Sequence, residues 1–450
     1  MPGLSRAALR AALKPTPARL LAGMLVTIAA SILWGVSATY TAENRSSAAN
    51  DMVATNGPLS FYAQRIYQSL SDADAMEAAA FLAVTEPAAT RAKFHADIEQ
   101  AGTYLRAVSA ADQTPAAMSS LTTLDTQIPE YTMLVGEAEA DSRDGLPVGA
   151  SYLQEASYLM RSVLLPAADD LYGQENGRLA SSYANATGLP VIALIVAVLC
   201  AIALLRVQRW LTSRTHRVLN RGLAAASVAA VLSLAWLLGS LLVARTHLIA
   251  AHTDAAAAQS LVQAEIAVLR AHADESLTLI NRSGDDASET DFKQAEKQLG
   301  PGTGTLLSTA RAAGTGSPGY RWATAAASAA TAWYTVHRAV RDLDNGGDYP
   351  DAVYLAIGSG PAVSPAVIQQ QEAALTARVG PRLPATSAQA FATVEADLTA
   401  GINADHGSFT ASASRGDRAL AGLAAGMVIA SLLMAAGCAW GLTRRIAEYR

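Results

Sequence analysis

The sequence predicts an all-α, multi-pass membrane protein in which four transmembrane helices carry two extracytoplasmic up-down helical bundles, related by internal duplication. Three observations predict it: four long stretches lack charge, the segments between them show helical apolar spacing, and one pattern is spelled twice. The uncharged stretches are Leu20–Ala42, Leu189–Leu205, Leu223–Ala244 and Ala419–Leu442. A hydrocarbon core about 30 Å thick needs roughly 20 helical residues at 1.5 Å each, and the shortest stretch, the second, is near the lower limit of about 17. The first stretch has an alternative reading as a signal peptide, with Val36-Ser37-Ala38 as a small-residue cleavage site. Its apolar run exceeds the usual h-region of about 7–15 residues, which favours a retained helix.

Charge sets the expected orientation. The three short segments outside the bundles hold Arg6, Arg10, Lys14, Arg19, then Arg206, Arg209, Arg214, Arg217, Arg221, then Arg444, Arg445 and Arg450, against one acid, Glu448. The segment 43–187 holds nineteen acids and eight bases, and 247–417 holds eighteen and eleven. Short basic loops stay cytoplasmic, whereas long domains can be translocated whatever their charge. The expected order is a cytoplasmic N-terminus (1–19), helix 20–42, bundle 43–188 and helix 189–205. A basic cytoplasmic loop (206–222), helix 223–244, bundle 245–418, helix 419–442 and a cytoplasmic tail (443–450) complete it. Both termini then face the cytoplasm of a cell-membrane protein. No basic domain for nucleic acid is present.

Both outer segments read as helix. In the first, Leu59, Tyr62, Ile66, Leu70, Ala73, Met76, Ala80 and Val84 keep three-and-four spacing until Glu86-Pro87. Further helices are predicted over about 88–110 and 116–141, the latter ended by Asp144-Gly145-Leu146-Pro147. A fourth carries Leu153, Ala156, Met160, Val163, Ala167 and Leu171 on one face, is bent by Pro166, and is interrupted near Gly188-Leu189-Pro190. In the second segment, Val262, Ile266, Leu269, Ala273, Leu277 and Ile280 form the first stripe. Asn281-Arg282-Ser283-Gly284 breaks it and Asp291-Phe292 starts the next helix. Gly300–Gly304 and Gly314–Gly319 are loops, and Tyr320–Asp344 is a helix before the turn Asn345-Gly346-Gly347. Gly358–Pro365 and Gly380–Pro384 interrupt the fourth. Abundant alanine favours helix, and alternating β patterns are missing.

The duplication rests on Tyr131-Thr132…Asp144-Gly145…Tyr152-Leu153…Ser157, which returns as Tyr334-Thr335…Gly346-Gly347…Tyr354-Leu355…Ser359. Ala73-Asp74…Phe94 and Ala273-Asp274…Phe292 form a looser echo. Cys200 and Cys438 both fall within spans, so neither outer segment can hold a disulfide and each must be held by packing.

The order of span, four-helix bundle and span resembles the sensory modules of bacterial chemoreceptors and histidine kinases. The region Tyr334…Asp344-Asn345-Gly346-Gly347-Asp348-Tyr349-Pro350-Asp351-Ala352 is similar to their third-helix signature, and Tyr131…Asp144-Gly145 carries it more weakly. Such receptors continue inward, whereas this sequence ends with Gly441 to Arg450, which resembles only the opening of a linker. A sensor of that plan hands its signal to a separate protein. The whole layout also resembles the actinobacterial GlnX-type membrane proteins. That resemblance implies amino-acid sensing through an extracytoplasmic solute-binding lipoprotein, upstream of a soluble Ser/Thr kinase of the protein kinase G type.

Catalytic and metal chemistry find little support. His247 and His252 are five apart, and His272 precedes Asp274-Glu275; neither gives zinc ligands on one helix face. Asp169-Asp170, Asp72/Asp74/Glu77 and Asp285-Asp286 read as solvated faces. Pro301-Gly302-Thr303-Gly304-Thr305 lacks the lysine and preceding strand of a phosphate loop. The spans contain no ionisable residue of the kind a proton path needs. The reading is therefore catalytic residues none, cofactors none, metals none. Gly422…Gly426 and Gly437…Gly441 have close-packing spacing. Arg206, Arg209, Arg214, Arg217 and Arg221 are candidates for contact with anionic lipid or a cytoplasmic partner, at about 1 kcal/mol per basic residue near a lipid surface. Arg65, Arg91, Arg161, Arg270 and Arg338 are outer cations able to meet a carboxylate. The expected function is a non-enzymatic transmembrane sensor or adaptor, with a structural or assembly scaffold of the cell envelope as the alternative. Oligomerisation is compatible with either.

Overall fold

In the computed structural model we describe residues 16–83, 88–215, 220–281, 287–299, 305, 307–308, 316–358 and 386–447. The helices are α1 (Thr16–Asp51), α2 (Gly57–Leu82), α3 (Ala88–Ala111), α4 (Pro115–Arg143), α5 (Gly149–Leu159) and α6 (Leu165–Thr187). They continue as α7 (Val191–Thr215), α8 (Arg221–Asn281), α9 (Ala287–Leu299), α10 (Tyr320–Asn345), α11 (Tyr349–Ile357), α12 (Ser387–Leu420) and α13 (Leu423–Ala447). No strand occurs among the described residues, so the protein is all-α. The chain forms two compact units: Met1–Val53, Ser181–Ile249 and Ser412–Arg450 make the first, Ala54–Ala180 and Ala250–Ala411 the second.

The first unit holds the four apolar stretches, each in a helix long and apolar enough to cross a membrane. Leu25, Ile192, Val231 and Leu433 point outward from it, as a lipid-facing surface requires. Between helices the contacts include a leucine cluster (Leu20, Leu211, Leu223 and Leu442), close glycine approaches and hydrogen bonds. Gly222 lies against Gly437 and Gly441, where an added Cβ would come within 2.5 Å of the Gly437 carbonyl oxygen. Gly437…Gly441 therefore lets α13 approach α8 closely. Gly426 packs against Trp236, whereas Gly422 sits in the left-handed region (φ 74°) at the break between α12 and α13. Asn220 caps α8 by accepting the Gly222 N–H (3.1 Å), and its amide donates to the Gly441 carbonyl at 2.8 Å. Trp34 Nε1 donates to Ser233 Oγ at 3.0 Å. Thr27 and Ser31 return their hydroxyls to carbonyls of their own helix, so neither hydroxyl is left unmet.

The second unit draws on both outer segments. Helices expected as two bundles contribute to one core, in which Ile66, Leu70, Tyr131, Leu124, Leu153, Met160, Phe292 and Trp333 are fully buried. Each such side chain contributes about 1.5–3 kcal/mol by leaving water. The turn glycines of the repeated pattern do similar work, since Gly145 has φ 71° and Gly347 φ 86°, a region that side chains with a Cβ rarely enter. Gly358 (φ 73°) ends α11 in the same way.

Two π-helical turns were not legible in the sequence: Met52–Asn56 between α1 and α2, and Met160–Leu164 between α5 and α6. Each ends two residues before a proline, Pro58 or Pro166. Proline lacks the N–H of an ordinary helical turn and its ring crowds the carbonyl four residues back, so a locally widened ladder relieves both. The predicted bend at Pro166 takes this form.

Two expectations need correction. Asp72, Asp74 and Glu77 do not lie on a solvated face; they are only 7%, 4% and 2% exposed, because α2 is packed on several sides by other helices. The helix after the first stripe of the second segment starts at Ala287, earlier than Asp291-Phe292. The predicted breaks at Glu86-Pro87 and Arg282-Ser283-Gly284, the loops at Gly300–Gly304 and within 359–385, Asp285-Asp286 and Ser359 lie outside the described residues. So do Arg6, Arg10, Lys14, Arg217, Glu448 and Arg450, and the side chains of Arg214 and Arg445.

Candidate functional site

The second unit encloses a layer of charged and polar side chains that joins its two segments. At its centre stands Arg161, carried on the π turn Met160–Leu164. Its Nη1 donates to Asp274 Oδ1 on α8 at 2.6 Å, and its Nε lies 3.7 Å from Asp74 Oδ2 on α2. Ser157 Oγ donates to the other Asp74 oxygen at 2.8 Å. Burial raises Asp274 to about 6 even though Arg161 opposes the shift, and burial likewise raises Asp74 against Arg161 and Ser157. Asp74 and Asp274, the aspartates of the looser sequence echo, thus meet on one guanidinium.

Flanking this centre are three further links. Lys93 on α3 bonds Asp72 and lies 3.3 Å from Glu395 on α12 and 3.7 Å from Asp97. Glu265 on α8 accepts Gln68 Nε2 at 2.8 Å and Thr399 Oγ1 at 2.6 Å, and burial lifts it to about 7. Arg65 Nη2 reaches Asn403 Oδ1 at 2.6 Å on the unit's surface.

A second cluster belongs to the 250–411 segment alone. His337 on α10 sits between Glu275 (2.8 Å) and Glu289 (3.3 Å), with Phe292 stacked on its ring at 3.5 Å. Ser387 Oγ bonds both Glu275 oxygens and accepts Trp333 Nε1 at 2.8 Å. His272, stacked on Phe391 at 3.9 Å, completes the surround. Burial opposes ionisation of Glu275, but the imidazoles of His272, 3.8 Å away, and His337, hydrogen-bonded at 2.8 Å, outweigh it and hold the carboxyl at about 2. Burial would likewise depress His337, and the bonds and charges of Glu275 and Glu289 instead hold it above its usual value.

Beside Arg161 opens a half-open cleft of about 580 Å³. α8 lines it with Gln263, Ile266, Ala267, Arg270 and Asp274, and α9 with Asp291, Gln294, Ala295 and Gln298. Both rows keep the i, i+3, i+4, i+7 spacing of one helix face. Of the five arginines that the sequence marks as able to meet a carboxylate, the fold brings Arg161 and Arg270 to this cleft. Arg65 bonds Gln68 and Asn403, and Arg338 makes an exposed pair with Glu296 at 3.5 Å. Arg206, Arg209 and Arg221 are exposed on the first unit, as a lipid- or partner-facing group would be.

Residues 48–184 match the family described as an actinobacterial sensor domain. No curated protein matches, and no solved structure does. The matched stretch runs from the end of α1 through α6. It includes Asp72, Asp74, Lys93 and Arg161, the first segment's share of the charged layer. A sensory role for the chain is the coarse conclusion, and four membrane-capable helices place it among membrane proteins.

The layer escaped sequence reading because acids on helices are usually solvated. A signal was available. Apart from Gln263 and Arg270, α8 is flanked largely by apolar residues around Glu265 and His272-Ala273-Asp274-Glu275, and a helix apolar nearly all round is buried together with most of the charge it carries.

Proposed function

We propose that the chain is a non-enzymatic transmembrane sensor: the second unit receives a solute signal outside the cytoplasm and relays it through the membrane helices to a separate cytoplasmic partner. The observation that carries the reading is the sensor-domain match on 48–184, a stretch that at each end adjoins a helix able to cross a membrane. α8, a helix of 61 residues, likewise begins in the membrane-type unit and ends in the other. The charged layer supplies the element to be switched. Buried ion pairs add little net stability, because desolvation offsets their attraction, yet alternative pairings of the same groups differ by modest energies. A ligand that favours one pairing shifts the population toward it. Helix displacements of about 1–2 Å suffice for such switches.

In this reading both termini are cytoplasmic. The solute is an amino acid, delivered by a docked solute-binding lipoprotein, and the inner partner is a Ser/Thr kinase that meets the exposed Arg206, Arg209 and Arg221 beside anionic lipid. The test compares phosphorylation of cytoplasmic proteins in wild-type and deletion cells, with and without external glutamate or aspartate. A response lost on deletion supports relay. An identical response in both strains defeats it and leaves a scaffold of the envelope.

A further inference from the structure

We infer that the cleft between α8 and α9 is a binding site for a zwitterionic solute, an amino acid or its short peptide, its carboxylate held by Arg270 and its ammonium by Asp291 and Asp274. This rests on the sensor reading for its purpose but on the cleft itself for its chemistry. Arg270 donates to the Tyr67 hydroxyl and lies over that ring at 5.8 Å, and among the described residues no carboxylate pairs with it. It is therefore a guanidinium whose planar fork is open to an anion. The other end of the cleft has the opposite balance. Arg161 is shared by Asp274 and Asp74, with Asp291 close enough to act on it, so three acids face one cation. Asp291 is exposed on the cleft wall and no cation pairs with it among the described residues. An anion alone would meet repulsion at the acidic end, and an amine alone would meet it at Arg270.

Position separates the charges. Arg270 and Asp274 are one helical turn apart, about 6 Å along α8. Gln263, Gln294 and Gln298 supply amide donors and acceptors beyond Arg270, and Ile266, Ala267, Leu165 and Ala295 supply an apolar floor. Seven of the eleven lining residues are polar or charged, which suits a solute charged at both ends, and the volume exceeds what a single small ion needs. Two further observations mark the place. Arg161 Nη2 is buried without an acceptor. Arg161 also stands on a π turn, a distortion common at functional sites.

The test is calorimetric titration of the full chain in lipid nanodiscs with triglycine, succinate and putrescine. Triglycine is expected to bind at least about tenfold more tightly than the other two. Arg270→Gln and Asp291→Asn are each expected to weaken it about ten- to hundredfold. Both residues are exposed, so the variants should fold, and unchanged thermal unfolding checks that they do. Glu296→Gln, on the same helix but outside the cleft, should bind as the wild type. No heat of binding with triglycine, equal binding of succinate, or indifference to Arg270→Gln would overturn the site. Binding as expected with no phosphorylation response in cells would sink the sensor reading alone and uphold the site.

Discussion

Replacing Arg161 with methionine keeps much of the side-chain volume and removes the cation between two carboxylates. Arg161 is 29% exposed, Asp74 5% and Asp274 4%, so the charges left behind lie out of water. Breaking a buried pair from one side costs about 3–5 kcal/mol. The cost is limited by protonation. An aspartate that ionises near 3.9 when unfolded costs about 1.4 kcal/mol to keep neutral for each pH unit above that value. The loss should therefore be largest near pH 7.5 and fall to roughly 1–3 kcal/mol near pH 5. Adding Asp74→Asn and Asp274→Asn should recover most of it. Denaturant unfolding in nanodiscs, followed by far-ultraviolet circular dichroism at both pH values, measures this. A loss below about 1 kcal/mol at pH 7.5, or one equal at the two pH values, would refute the picture of a cation holding two buried acids.

Three other outcomes are expected. Burial, with Glu139 and Asp74 nearby, raises Glu77 to about 8, so the stability its protonated form provides is lost as pH rises from about 4.5 towards 8; Glu77→Gln should raise the melting temperature at pH 8.5 and change little at pH 5. His337 is held above its usual value, so its contribution is complete below about 6.5 and is lost as pH rises through its folded value. Glu275, held at about 2, contributes above about 4.5. His337→Gln should therefore cost most between about pH 4.5 and 6.5, on the order of 3 kcal/mol, in the same unfolding measurement. Gly222→Leu should separate α8 from α13, because even a Cβ would come within 2.5 Å of Gly437 and Gly441 backbone atoms; lower yield of intact chain from detergent extraction checks this.

Helices and spans were legible because they follow from periodicity and length. The stripe Leu59–Ala80 and the glycine turns at Gly145 and Gly347 mark elements that the fold contains. The spans were clearer still, since a run without charge has few alternative readings. Side-chain partners were not legible, because contact between segments far apart in sequence leaves no local pattern. Asp74 reads as a solvated acid and Asp274 only as a neighbour of His272, and Arg161 from a third element brings the two together. The five outer arginines are equivalent in sequence. Only packing distinguishes Arg270, at a cleft, from Arg338, in an exposed pair. The π turns were hidden too, since proline announces a distortion but not its form.

Joining of the two outer segments into one body is the claim from which the charged layer, the cleft and the relay all follow. Arg65 and Asn403 meet across that join at 2.6 Å on its surface. The native cysteines, Cys200 and Cys438, are buried in the membrane-type unit. Arg65→Cys and Asn403→Cys, treated with a short bifunctional maleimide in native membranes, should cross-link efficiently within one chain, while either single variant should not. Absence of that cross-link in folded protein would contradict a shared core.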